Sequence, residues 1–368
     1  MNEVKKVLFV NSGTTTGQGG WQISRCAFEG LKSLGIEAEL FDLSERIGLI
    51  SSAFSGFSKD GKDKEYGETS VIEWACGTLV ERAMLLKPDL VVAMKGTRIS
   101  ESALSALKAA GIATAAWTMD DPYELEHYLL RAKHYDMIFT SEPRCLPFYE
   151  ACGAPFAGYL AHAHDPATHK PAPEAAASPN YASDICFIGA VYPERARLLK
   201  GAADFLARHK TVLIGNWGAY REELPGVRVL DGFLPEKEAV KFYCGAKVVL
   251  NIHRLPGECV PGAFDPAKIG AEGINSRTFE IAGTGAFQLV DAGRGQLENF
   301  FEPGREIETF TGGREMEIKI ARYLADAPRR AAIGAAGRKK ALAEHTYAHR
   351  MKKLLEAAEA FQLAPARG

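Results

Sequence analysis

The sequence predicts an α/β protein built as two similar doubly wound domains facing each other across a cleft. Three observations carry that expectation. Short runs rich in Val, Ile, Leu and Ala alternate with stretches of helical periodicity, the pattern of a parallel sheet covered by helices. The alternation stops in a Pro- and Ala-rich stretch between His162 and Ser183, then starts afresh. At 368 residues the chain also exceeds what one hydrophobic core usually holds.

The elements follow in order. "KVLFV", Lys6–Val10, is a buried-strand run closed by the small, polar loop "NSGTTTGQGG". Ile23, Ala27, Leu31 and Leu34 then recur at helical spacing, and Gly35 stops the helix. "EAELFDL" alternates as a strand, and "FSGFSKDGKDKEYGE" reads as a long polar loop. A helix over Val71–Leu86 leads into the strand "KPDLVVAMKG". Helix Glu101–Ala110, strand "IATAAWTMD", helix Tyr123–Lys133 and strand "DMIFTSE" complete the first half. The stretch "HAHDPATHKPAPEAAASPNYAS" has no periodicity and reads as a linker. Its His162, His164 and His169 mark a hinge there more readily than a metal site. The second half repeats the scheme: strand "DICFIGA", helix "ERARLLKGAADFLARH", strand "TVLIGNWG", short strand "VRVLDGFLP", helix Glu236–Cys244 and strand "KVVLNIHR". After a Gly/Pro-rich loop come a helix beginning near Ser276, strand "AFQLVD", short strand "IETF", and helices over Met316–Leu324, Arg329–Leu342 and His349–Phe361. The expected division is residues 1–165, a linker over 166–182, a second domain over 183–345, and a terminal helix, 346–368, crossing back to the first domain.

Composition excludes some classes. With 46% hydrophobic and 24% charged residues the chain is an ordinary folded protein, and a net charge of −2 gives no global reason to bind nucleic acid or an anionic membrane. No apolar run reaches the roughly 20 residues that span a bilayer, and no secretory signal follows the N-terminus, so a cytoplasmic location without integral membrane association is expected. The seven cysteines are scattered without a C-x-x-C pair, which suits reduced thiols rather than disulfides or zinc.

Ligands of open parallel sheets bind beyond the carboxyl ends of the strands, where strand order reverses. In the second domain the residues after successive strands are glycine or polar. Gly189 is followed by Arg195; Gly215 by Asn216 and Trp217; Gly232 by Phe233; and Asn251 by His253 and Arg254. Asn275, Arg277 and Glu280 surround the start of the next helix. A helix starting near Ser276 aims backbone N–H groups and its positive end at an anion such as phosphate. Arg277 or Arg254 adds a charge-assisted bond to the same anion. Glu280, one turn in, is placed to accept both ribose hydroxyls, and Phe233 offers its face to a base. Each residue alone has a plainer reading. A Glu in a first helical turn stabilises the helix by about 0.3–1 kcal/mol unaided. Arg195 reads first as a solvated helix residue, His253 divides evenly between structural and ligating roles, and Gly283 and Gly285 end a short helix. Together they point to a nucleotide site.

These residues carry a resemblance. "NIHR…GINSRTFEIAGTGAFQLVD…FFEPGREIETF…EHTYAHR" resembles the C-terminal half of the CgeB-like (spore maturation protein) glycosyltransferases, which are similar to other GT-B enzymes with two Rossmann-like domains. The match is good from Tyr159 to Arg350 and looser before; "WTMDDP", Trp117–Pro122, resembles the family's acidic turn in the first domain. The resemblance implies that the second domain binds a nucleotide-sugar co-substrate, that Glu280 holds the donor ribose, and that Asn275, Arg277 and Thr278 line diphosphate and sugar. Glu272 and Glu280 reproduce the E-x7-E spacing of some retaining GT-B enzymes, which would set Glu272 against the sugar. It further implies no permanently bound cofactor and no metal.

The first domain would then hold the acceptor, a glycan, protein or small molecule. Ser12, Gly13, Thr14, Gly17 and Trp21 belong to the loop after the first strand, read either as acceptor contacts or as a flexible turn with Trp21 packed behind it. It lacks the Gly-Lys-Ser/Thr of a phosphate loop. Asp120 and Asp121 end a strand, where a carboxylate suits the general base that deprotonates an acceptor hydroxyl. An Asp before Pro is also a common turn residue and helix cap. The function expected is sugar transfer from a nucleotide sugar to a hydroxyl. The alternatives are a GT-B sugar-nucleotide epimerase and a nucleotide-sugar binding protein without turnover.

Overall fold

A computed structural model of the chain describes residues 3–13, 19–56, 68–255 and 266–363. Thr14, Gly17 and most of the polar loop expected after residue 54 lie outside the described residues. The chain divides into two compact units. The first runs to Ala161 and takes in the chain again from Ala348; the second spans His162 to Tyr347.

The first unit holds six parallel strands: β1 (Lys6–Asn11), β2 (Glu37–Asp42), β3 (Leu90–Met94), β4 (Ala113–Thr118), β5 (Met137–Thr140) and β6 (Ala157–Tyr159). Their order is β2-β1-β3-β4-β5-β6, so the direction of winding reverses between β1 and β3. The central strands are apolar throughout because helices cover both faces: Val7 to Val10 and Leu90 to Met94 are buried. A helix absent from the sequence reading, Leu43–Gly56, follows β2 without a spacer. Asp42 starts it by accepting the Glu45 N–H at 3.0 Å. The terminal helix, Tyr347–Leu363, closes the unit. Its Glu359 accepts the Val4 N–H at 3.0 Å, and Arg350 Nε donates to the Ala161 carbonyl at 2.9 Å.

The second unit has six parallel strands as well: β7 (Ser183–Ile188), β8 (Thr211–Gly215), β9 (Arg228–Asp231), β10 (Ala246–Asn251), β11 (Gln288–Asp291) and β12 (Glu308–Phe310). The order β12-β11-β10-β7-β8-β9 is that of a dinucleotide-binding sheet, with its switch point between β7 and β10. Phe187, Leu199, Trp217, Leu250, Phe287, Phe310, Ile320 and Tyr323 lie in its main core. The single helix expected after β7 is two, Pro193–Gly201 and Ala203–Ala207, broken at Ala202 just past a glycine. The stretch read as a linker contains one short helix, Glu174–Ala177, and is otherwise irregular. Its backbone is nonetheless held: His164 N–H donates to the His345 carbonyl at 3.1 Å, and Tyr347 N–H to the His164 carbonyl at 3.0 Å.

Candidate functional site

The carboxyl ends of β7 and β10 meet at the start of the Ser276–Thr284 helix. Asn275 caps that helix, its Oδ1 accepting the Thr278 N–H at 3.0 Å. The same oxygen accepts the Thr278 hydroxyl at 3.1 Å, and Asn275 Nδ2 donates to Asn251 Oδ1 at 3.0 Å. Asn251 Nδ2 completes a ring by donating to Thr278 Oγ1 at 2.8 Å, while Gln288 Nε2 reaches the Thr278 carbonyl at 2.9 Å. Asn251 and Thr278 are both 0% exposed. This corrects the expectation for Thr278: its hydroxyl is spent inside the ring, where it anchors the helix to β10 and β11 instead of lining a ligand.

Arg277 leaves the first helical turn and crosses the switch point. Its Nη1 donates to the carbonyl of Ile188, the last residue of β7, and its Nη2 to that of Ile252, just past β10, at 3.2 Å. The guanidinium lies 5.8 Å from the centre of the Phe187 ring. Gly189 must be bare for this to happen, since a Cβ there would sit 1.9 Å from Arg277 Nη1. Gly215 is bare for a related reason: a Cβ would lie 2.2 Å from the Gly189 carbonyl oxygen. The two glycines and the arginine thus form one close-packed floor with positive charge at its centre.

Around that floor stand the remaining groups. Glu280 is half-buried; burial raises its pKa above the usual range, opposed by the Ser276 hydroxyl and the charge of Arg277. His253 is 2% exposed, and Asp291 Oδ1 accepts both its backbone N–H, at 2.7 Å, and its ring Nδ1, at 2.8 Å. Arg195, read from sequence as a solvated helix residue, is buried at 4% exposure, so that reading is corrected. It donates through Nη1 to the Ala190 carbonyl at 2.8 Å and through Nε to the His253 carbonyl at 3.4 Å. Arg195 and Arg254 both lie over the Tyr192 ring, at 5.0 and 4.5 Å from its centre.

Other expected residues fall elsewhere. Trp217 is 1% exposed and packs edge-on against Phe187 in the core, so its side chain is a wall of the sheet and not a ligand face. Asn216 is exposed, Gly232 partly so, and Phe233 is 59% exposed. Glu272 is half-buried beside Gly295, with its carbonyl accepting the Gln296 N–H at 3.2 Å.

In the first unit the switch point lies between β1 and β3. Ser12 ties the two strand ends together, donating to the Met94 carbonyl at 2.8 Å and accepting the Gly96 N–H at 2.9 Å. Lys95, which the sequence reading missed, has a left-handed φ of 65° and packs where a Cβ on Gly13 would collide with its side chain. Its ammonium meets Asp120 at 2.6 Å and Glu124 at 3.3 Å. Trp21 Nε1 donates to Asp42 Oδ2 at 3.2 Å, fixing the indole to the end of β2. Asp120 and Asp121 part company. Asp120 is partly exposed beside Lys95, whereas Asp121 is 7% exposed, its Oδ2 accepting from Thr118 at 2.6 Å, Thr140 at 2.5 Å and Tyr149 at 2.7 Å. Burial pushes the Asp121 carboxyl up to about 6. Neither carboxylate caps the following helix, Leu125–Ala132, which has no side-chain cap. Among the described residues no group of three or more His, Cys, Asp or Glu gathers as a metal site, and no helix is long and apolar enough to cross a membrane.

Known proteins share this fold. Residues 195–356, which include the whole Arg277 floor beyond Gly189, match the family described as glycosyl transferase-like. The spore protein CgeB of Bacillus subtilis is 28% identical over 310 residues, covering 82% of this chain and 92% of that protein. Among solved structures, HepE of Anabaena in complex with UDP and glucose superposes with a TM-score of 0.63 at 13% identity, covering 97% of this chain and 100% of that one. A glycosyltransferase of Rickettsia africae gives 0.64 at 11% identity, covering 98% and 100%. The fold is that of the GT-B class, and residues 195–356 are similar to glycosyl transferases. Within that class the chain is CgeB-like, as the motifs from "NIHR" to "EHTYAHR" imply.

Proposed function

We propose that the second unit binds a nucleoside diphosphate sugar and that the enzyme transfers the sugar to an acceptor hydroxyl held by the first unit. The observation that carries this reading is the positive floor at the β7–β10 switch point: a helix start and Arg277, with bare glycines beside them. Such a floor suits a diphosphate, because helix N-termini and guanidinium groups both favour oxyanions. In the transfer, the bond from the anomeric carbon to the phosphate oxygen breaks and one to the acceptor oxygen forms. The acceptor loses its proton, and the nucleoside diphosphate leaves with the negative charge. Arg277 and the helix start stabilise that leaving group where its charge grows. Glu280 takes the ribose hydroxyls. Asp120, exposed enough to meet an acceptor, is the carboxylate assigned to the proton; buried Asp121 supports the strand ends beneath it. A cytoplasmic location goes with this reading, and the free thiols of Cys26, Cys76, Cys145 and Cys186 suit a reducing compartment.

The test is direct. A thermal-shift screen against UDP, GDP, dTDP and their sugars identifies the binder, since a ligand in excess raises the melting temperature. Glu280→Ala then weakens its binding by roughly 10–100-fold in calorimetry, the effect of removing bonds to a charged acceptor. Unchanged affinity in that variant removes Glu280 from the site, and a screen in which no nucleotide stabilises the protein refutes the donor reading.

A further inference from the structure

His253 holds a polar atom that no described residue uses. Its ring is 2% exposed and its Nε2, fully buried, has no hydrogen-bond partner among the described residues. Buried polar atoms are nearly always paired, so an orphan at the edge of a ligand site calls for a partner that arrives from outside. The other ring nitrogen defines what that partner is. Asp291 Oδ1 already accepts the His253 backbone N–H. Although burial pushes this carboxyl up, its hydrogen bonds and charge interaction with His253, together with Arg294, outweigh that and hold it below its usual pKa, hence ionised and able only to accept. The ring proton must therefore sit on Nδ1, which leaves Nε2 as a bare lone pair. The groups facing the ring agree with a neutral imidazole: burial lowers its pKa, Arg294 and Arg277 lower it further, and Asp291 pulls the other way. A bare lone pair repels a phosphate oxygen and attracts an O–H.

Resting on the donor reading above, we propose that His253 Nε2 accepts a hydrogen bond from one hydroxyl of the transferred sugar, making the Asp291–His253 pair a sugar-specificity element of the site. The ribose and the sugar carry the O–H groups of a nucleotide sugar, and Glu280 answers the ribose. His253 follows the end of β10, one residue past the Ile252 carbonyl that Arg277 holds, and is tied by its backbone to Asp291 at the end of β11 and to Arg195.

The experiment measures calorimetric affinities of wild type, His253→Phe and His253→Gln for UDP, UDP-glucose, its 2′-deoxyribose analogue, and its 2-, 3-, 4- and 6-deoxyglucose analogues. Expected is a loss of about tenfold for wild type on one deoxysugar alone, a like loss for His253→Phe on UDP-glucose, and no further loss when the two are combined. His253→Gln, which keeps an acceptor oxygen, recovers part of the affinity and serves if the Phe variant does not fold. Equal losses for UDP and every analogue, or a dependence on the 2′-hydroxyl alone, overturn the proposal, because a structural or ribose role would produce them. Unchanged affinities in both variants overturn it too. Wild type that binds none of these compounds removes the UDP-sugar donor reading together with this one, whereas wild type that binds them with both variants indifferent removes only this one.

Discussion

Acid should destabilise the second unit through one histidine. His164 is 0% exposed, packed so tightly that a Cβ on Gly283 would lie 2.5 Å from its Nδ1. Burial lowers its pKa to about 4, helped by His169 and His345, with Asp165 and the Ala341 carbonyl opposing. In the unfolded chain the same ring titrates near the ordinary value, about 6.5. Between those values the unfolded state holds a proton that the native state refuses, so stability is full above about pH 6.5 and falls as the pH drops toward 4. The loss works out to about 2 kcal/mol at pH 5 and about 3 kcal/mol at pH 4, a large share of the ~5–15 kcal/mol that holds a domain together. The perturbation is His164→Phe, which fills similar space and cannot titrate. Urea unfolding at pH 7, 5 and 4, followed by tryptophan fluorescence to which Trp217 alone reports from the second unit, gives the midpoints. Relative to pH 7, the wild type should lose roughly 1 M in midpoint at pH 5 beyond any loss of the variant, for a slope of about 2 kcal/mol per M. Midpoints that move in parallel with pH would show that the His164 ring accepts its proton in the folded unit and would refute the burial argument.

Two further predictions concern the sites. Gly189→Ala places a Cβ against Arg277 Nη1, at the far end of a long side chain, so it should displace the guanidinium and weaken nucleoside diphosphate binding about tenfold while the melting temperature falls by only a few degrees; affinity equal to wild type would contradict the floor. Asp121 has the opposite linkage to His164: its pKa is raised to about 6, so its contribution is present at low pH and is lost as pH rises through 6. Relative to wild type, Asp121→Asn should gain about 3 kcal/mol in first-unit stability between pH 4 and pH 7, read from denaturation midpoints, and a pH-independent difference would count against it.

Much of the fold was legible because the strands are buried on both faces and read as unbroken apolar runs. The helix Leu43–Gly56 was not, because it begins on the residue after a strand and leaves no turn signal; only the Asp42 side chain, reaching Glu45, marks its start. The site was legible as a set of positions and less so as a set of directions. Trp217 follows a strand, as a ligand residue would, yet its indole turns back into the core. Arg277 stands where a phosphate ligand would, yet its partners include two carbonyls that only the strand order brings together. Lys95 was missed because a Lys before Gly reads as a turn; its left-handed φ and its two carboxylate partners are tertiary facts.

The polar residues at the start of the Ser276–Thr284 helix therefore divide into two kinds, and the division can be tested. Asn251, Asn275 and Thr278 satisfy one another in a closed ring, which makes them scaffold. Thr278→Val keeps the shape but takes away the acceptor of Asn251 Nδ2, whose other contact, Gln288 Oε1, is long at 3.4 Å. A buried donor left poorly paired costs about 1–3 kcal/mol. Because Asn275 would also lose one of its partners, the helix start should loosen and nucleotide affinity should fall along with stability. Glu280→Ala has no such ring to break, so its loss of affinity should come with little loss of stability. If Thr278→Val instead leaves the midpoint of unfolding unchanged and abolishes binding, its hydroxyl faces the ligand and the ring is not what positions the helix.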